Sequence, residues 1–255
     1  MTVTYEELCG QCFGGDEEQS DEEAFEACAG VIAAARSPAD IAHAHLVRGL
    51  IRSGDDDAGA AIAELSRAVA VDPAPVYFQT RGQVRFQHGD YEGALRDFRL
   101  AADGDPQYAA PHMSSGAAYH QLGDYEKALA CYEEAIRIDP GNARAHYNRC
   151  LAYVYCGEEE RGLLDLDRAI ELDPDVGSWL VMRGRAHLDH GQWSGAIDAF
   201  SRAFELSPQN AEALFCRGVA KARQGDTVGA AEDMTRAQAM DLDIAQYMAE
   251  QGVER

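Results

Sequence analysis

Five prolines, Pro73, Pro106, Pro140, Pro174 and Pro208, follow one another at spacings of 33 and then three times 34 residues. A period of this length marks one supersecondary unit used many times over. Proline has no N–H to donate and disfavours helical geometry in the residue before it, so each one closes a helix. One step further the proline is missing, and Leu242 stands in Met240-Asp241-Leu242. Other positions keep the same step. Gly49, Gly82, Gly116, Cys150, Gly184 and Gly218 form one rung, and Ala61, Ala94, Ala128, Gly162, Ala196 and Ala230 a second. Large residues follow at Leu65, Phe98, Tyr132, Leu166, Phe200 and Met234, then alanine in every copy from Ala68 to Ala237.

These rungs predict two helices per unit. A small residue on each helix permits close crossing, glycine against alanine, with the large residue filling the space beside it. Turn signals such as His88-Gly89-Asp90-Tyr91 and Leu122-Gly123-Asp124-Tyr125 separate the two halves. Six units result, at about 42–74, 75–108, 109–142, 143–176, 177–210 and 211–242. The fourth exchanges the sizes of two partners, Cys150 for glycine and Gly162 for alanine, and is expected to stack normally but less tightly. Residues 1–41 read as an acidic segment with a degenerate or capping repeat. Its helices are expected at Tyr5–Phe13 and Asp21–Ala35, the second opened by a Ser20/Glu23 capping box. Asp16, Glu17, Glu18, Asp21, Glu22 and Glu23 make an acidic run that reads as a solvated turn. Residues 243–255 read as a C-terminal capping helix with Ile244, Tyr247 and Met248 inward.

This register resembles the tetratricopeptide repeat, with its 34-residue small–aromatic–alanine–aromatic–alanine–proline pattern, over 42–242. The resemblance implies an all-α fold, a right-handed α-solenoid of helix-turn-helix repeats. It also implies a concave face that binds a peptide segment of a partner protein, lined by positions two, five, six, nine, twelve and thirteen of each repeat. In the middle and C-terminal repeats those positions hold Gln79, Gln83, Phe86, Met113, His120, Arg144, Tyr147, Asn148, Tyr155, Val181, Met182, Arg185, Leu188, Phe215 and Arg223. Arg144, Arg185 and Arg223 are expected to orient acidic or carbonyl groups, and the apolar residues to act as anchors. Several of these side chains have a competing use in packing between repeats. Some members of the family clamp acidic C-terminal tails. Here Asn148 occupies one clamp position, but Met113, Ala117, Ser178 and Met182 occupy others, so the clamp is not present.

The charge balance is 22 basic against 44 acidic residues, a formal −22. It repels nucleic acid and anionic membranes and favours basic or neutral partners. No apolar run is long enough to span a bilayer. The opening MTVTYEELCGQC has neither a basic nor an apolar leader region, so a cytoplasmic location is expected. No phosphate loop, nucleophile elbow or His-Glu-x-x-His motif occurs, and no catalytic, metal or cofactor role is assigned.

One constellation recurs inside the repeats. Arg48, Arg81, Arg149, Arg183 and Arg217 precede the small residue of the first helix, and Glu64, Asp97, Asp165 and Asp233 stand sixteen residues after four of them. The copy with Ser115 has Cys131 in place of the acid. Pairing of arginine with carboxylate across the hairpin is expected. In the fifth copy Ala199 holds the acid's place and Asp198 is adjacent. The seven cysteines read mainly as reduced, small apolar residues. Cys9-Gly-Gln-Cys12 leaves two further readings open, a Cys12–Cys28 link under oxidising conditions and a metal or redox role. The function expected is that of a non-catalytic scaffold or adaptor. The alternatives are a sensor of a small signalling peptide and a protein acting through Cys9 and Cys12.

Overall fold

The computed structural model describes residues 4–14 and 20–253, so the part of the acidic run at Asp16, Glu17 and Glu18 lies outside the described residues. Among the described residues there are fifteen α-helices and no strand. The chain divides into two compact units, Met1–Pro140 and Gly141–Arg255, each built of helical hairpins.

The first unit contains α1 (Tyr5–Phe13), α2 (Asp21–Ala34), α3 (Pro38–Gly54), α4 (Ala58–Val71), α5 (Pro75–Gln87), α6 (Tyr91–Gly104), α7 (Ala109–Gln121) and α8 (Tyr125–Ile138). Consecutive helices pair into hairpins, and each hairpin packs on the next. The second unit contains α9 (Ala143–Tyr155), α10 (Glu159–Leu172), α11 (Gly177–Asp189), α12 (Trp193–Leu206), α13 (Ala211–Gln224), α14 (Thr227–Met240) and α15 (Ile244–Glu250). Its three hairpins pack in order, and α15 lies against α13 and α14. The architecture is an all-α solenoid of helix-turn-helix repeats.

The local chemistry explains the boundaries. Each of the five periodic prolines stands two residues past the end of a second helix, at α4, α6, α8, α10 and α12. Asp57, Asp90, Asp124 and Asp226 each accept a hydrogen bond from the backbone N–H three residues on, which satisfies one orphan donor at the start of a helix. The residue before the cap must often turn left-handed. Gly123 does so at φ +77°, and the matching glycines Gly89, Gly157, Gly191 and Gly225 share that conformation. The acidic first turn has no such glycine, and Asp56 takes φ +60° instead, as aspartate tolerates better than most residues.

The expected glycine-on-alanine contact occurs in the first and last repeats, where a Cβ on Gly49 or Gly218 would stand 3.3 or 3.1 Å from the carbonyl oxygen of Ala61 or Ala230, but it is not the closest contact. The large residue itself lies over the glycine. A Cβ added to Gly82 would stand 2.6 Å from the Phe98 ring, and one on Gly116 would stand 2.5 Å from Tyr132. Gly184 faces Phe200 in the same way, at 2.7 Å. The ring covers the bare backbone, so the glycine serves the aromatic residue, and the alanines lie buried around it. In the fourth repeat the exchange is complementary. Cys150 is fully buried, and a Cβ on Gly162 would meet the Cys150 carbonyl oxygen at 3.1 Å.

At the N-terminus Ser20 and Glu23 form the capping box. Arg48 and Arg52 stack over the Phe25 ring at 4.0 and 4.3 Å, docking α2 on α3. Cys12 and Cys28 are joined by a disulfide between α1 and α2, which corrects the reading of these two cysteines as reduced. Hairpin geometry is the reason: the two residues are sixteen apart and face each other across α1 and α2, as the arginines and acids do in later repeats. The remaining cysteines, Cys9, Cys131, Cys150, Cys156 and Cys216, are outside the disulfide. Burial raises the pKa of Cys131 to about 11 and that of Cys150 and Cys216 to about 12, which keeps these thiols protonated and unreactive.

Candidate peptide-binding groove

The arginine–carboxylate ladder is internal bracing. Arg81 donates two bonds to Asp97, at 2.6 and 2.9 Å, and Arg85 adds a third at 2.7 Å. Arg149 and Asp165 form the same fork at 2.7 and 2.8 Å, and Arg217 and Asp233 at 2.7 Å twice. The Glu64 site is looser. Arg48 stands 3.5 Å away, and the His45 ring nitrogen lies 2.7 Å from the other carboxylate oxygen. Burial pushes the Asp233 pKa up, but hydrogen bonds from Arg217 and Lys221 outweigh it, and the carboxyl titrates below its ordinary range. Glu64 is lowered in the same way: burial opposes, and His45, Arg48 and Arg67 prevail. Arg183 departs from the expected scheme. It does not use Asp198; it reaches back sixteen residues to Asp167 on α10, at 2.6 Å, and ties one repeat to the preceding one.

The fourteen residues assigned to the groove, with Val181, divide into three groups. Packing claims the first. Gln79 donates to the Ser114 hydroxyl at 2.9 Å and links α5 to α7. Phe86 meets Tyr91 edge-on at 5.4 Å, and His120 meets Tyr125 at 5.1 Å, with burial lowering the His120 pKa. Tyr147 stacks on Trp179 with centroids 5.1 Å apart, and Leu188 packs on the core of the second unit. Phe215 is a correction. It is 1% exposed within the cluster that α15 helps to close, so no partner can reach it. The second group, Arg144, Tyr155 and Arg223, is exposed, while Gln83, Met113 and Asn148 are half-buried.

The third group comes together. Val181, Met182 and Arg185 line a cavity of about 490 Å³ in the second unit, with Val154 of α9, Glu159 and Leu163 of α10, Ser178, Ala186 and Asp189 of α11, and Asn210 and Glu212 at the start of α13. That volume is in the range of sites that hold small ligands or side chains of a bound segment. Arg185 stands 3.4 Å from Glu212 and also donates to the Gln251 backbone carbonyl at 3.4 Å.

Family models match two stretches of this chain. The model described as TPR repeat matches residues 116–157, and the one described as tetratricopeptide repeat matches residues 181–243. The chain contains tetratricopeptide repeats. Its tetratricopeptide repeat fold is similar to that of PilF from Pseudomonas aeruginosa, at 17% identity and a TM-score of 0.70, covering 84% of this chain and 99% of that one. The C-terminal part of a TPR repeat-containing protein from Cytophaga hutchinsonii gives the same identity and TM-score, with 90% of this chain and 93% of that part covered. YrrB, described as having an unusual peptide-binding site, gives 21% identity and a TM-score of 0.62, with 73% and 97% covered. At these identities the likeness is one of fold. Among curated proteins, no sequence matches this chain.

The cavity contains residues that residue type alone passed over. Val154, Ser178, Asp189 and Glu212 occupy positions twelve, two, thirteen and two of their tetratricopeptide repeats, so the positional rule selects them. Glu159 and Leu163 belong to a second helix, where that rule is silent. The Cys9/Cys12 reading loses its dithiol, because Cys12 is bonded to Cys28. Among the described residues no group of three or more His, Cys, Asp or Glu side chains is arranged to hold a metal ion. Among the described residues no helix is long and apolar enough to cross a membrane.

Proposed function

We propose that this protein is a non-catalytic scaffold that holds a peptide segment of a partner protein along the concave positions of its repeats. The observation that carries this reading is the α9–α11–α13 cavity, in which concave positions of successive repeats converge on one apolar floor. An anchor side chain entering it leaves water for a site already walled by the protein, and burial of apolar area supplies the driving force. The tetratricopeptide repeat is typically a protein-interaction module, which agrees with this use.

The test is affinity capture with the full chain. Ser178 is exposed at the cavity lining, so Ser178→Arg fills the cavity without disturbing the core. Wild type is expected to recover one or two proteins, and Ser178→Arg to lose them while keeping the wild-type helical spectrum. Equal recovery by both refutes the reading.

A further inference from the structure

We propose that the segment held in this cavity carries a lysine or arginine beside an aliphatic or methionine side chain. The proposal rests on the scaffold reading and names its partner's chemistry. The floor is apolar, formed by Val154, Leu163, Val181 and Met182. The charged groups at its edge are Glu159, Asp189, Glu212 and Arg185. Three carboxylates against one guanidinium leave the lining two negative charges in excess.

The guanidinium is already in use. Arg185 is matched by Glu212, and its other nitrogen donates to the Gln251 carbonyl, so it holds backbone supplied by this chain's own C-terminal segment. It does not offer a free charge for an incoming carboxylate, contrary to the role expected of it from sequence. Glu159 and Asp189 are exposed, and neither has an ion pair or side-chain hydrogen bond among the described residues. A partner carboxylate placed here would meet two like charges beside a low-dielectric wall. A lysine or arginine would meet two complementary ones while its aliphatic stem lay on the apolar floor. Charge at a rim of this kind sets orientation and partner choice, and the anchor supplies most of the affinity. The formal charge of −22 draws the same class of partner from a distance.

The probe is a phage-displayed random peptide library selected on the immobilised full chain. One enriched sequence is then synthesised with a fluorescein label and measured by anisotropy. Enriched sequences are expected to pair Lys or Arg with Leu, Ile, Val or Met. Glu159→Gln with Asp189→Asn is expected to weaken binding about tenfold, the loss of roughly two modest rim interactions. Glu126→Gln with Glu232→Gln removes the same charge from exposed sites outside the cavity and is expected to change binding less than about twofold at physiological salt. Equal weakening by both pairs shows a general field effect and overturns the proposal. Enriched sequences without basic residues, lost on Ser178→Arg, overturn the chemistry and leave the scaffold reading standing. Binding unaffected by Ser178→Arg, or no enriched sequence at all, overturns both.

Discussion

The brace in the second repeat gives a quantitative test, because the third repeat is a natural version without it. Asp97 is 1% exposed and accepts three charge-assisted bonds, two from Arg81 and one from Arg85. Asp97→Cys removes all three. At about 1.5–3 kcal/mol for a hydrogen bond to a charged group, the gross loss is large. Arg81 keeps its bond to Ser66 at 3.1 Å, and both arginines reach solvent at their edges, so hydration restores part of it. The expected net cost is about 3 kcal/mol, the low end for breaking a buried ion pair. Arg81→Ser costs less, about 2 kcal/mol, because Arg85 still holds Asp97. The double change copies Ser115 and Cys131 of the third repeat, leaves no buried carboxylate, and is expected to cost about 3 kcal/mol, not the sum of about 5. The coupling is therefore about 2 kcal/mol. It is read from urea denaturation followed by helical circular dichroism, with all four proteins fitted together, since repeat arrays need not unfold in one step. A coupling indistinguishable from zero would refute the claim that this pair ties the hairpin together.

Other outcomes follow from single features. Gly82→Ala drives a methyl group to 2.6 Å from Phe98 and is expected to cost about 1–3 kcal/mol in the same assay; a neutral result contradicts the ring-on-glycine packing. The Cys12–Cys28 link closes a sixteen-residue separation, so reduction is expected to remove about 3 kcal/mol from the N-terminal hairpin, detected by hydrogen exchange of α1 and α2. Thiol titration of the unfolded, unreduced protein is expected to give five groups, and after reduction seven. Glu64 and Asp233 have folded-state pKa values below their ordinary 4.5 and 3.8. Their contribution is complete above those values and is lost as pH falls through the lower folded ones, so the urea midpoint should drop below about pH 4.5. Arg217→Ala should make that acid loss shallower; an unchanged slope contradicts the assignment for Asp233.

The hairpins were legible because glycine, proline and aromatic residues recur in register, and each has a local physical effect that does not depend on distant parts of the chain. The braces were legible for a related reason. Repeats serve as internal comparisons, and the copy lacking Arg also lacked the acid. The Arg183–Asp167 pair was not, since sixteen residues separate Arg183 from Asp167 behind it and from Ala199 ahead of it. Only packing between hairpins decides which side is used. Cys12 and Cys28 shared that same separation, so the hairpin rule applied at the N-terminus would have placed them together. The groove was the least legible part. A concave position says where a Cβ points, but Phe215 is sealed by a segment some thirty residues later, and Arg185 is engaged by Glu212 and Gln251 from other elements.

The measurement closest to the central claim is site-directed photocrosslinking. A benzoylphenylalanine in place of Tyr155, which is 62% exposed beside Val154 of the lining, stands next to the cavity without filling it, and one at Leu164, which is 71% exposed on α10, lies outside the lining. Position 155 is expected to crosslink to one partner through a segment containing a basic and an apolar residue, Glu159→Gln with Asp189→Asn to diminish the product, and position 164 to give none. Crosslinking of the same partner from 164 but not from 155 would contradict the groove.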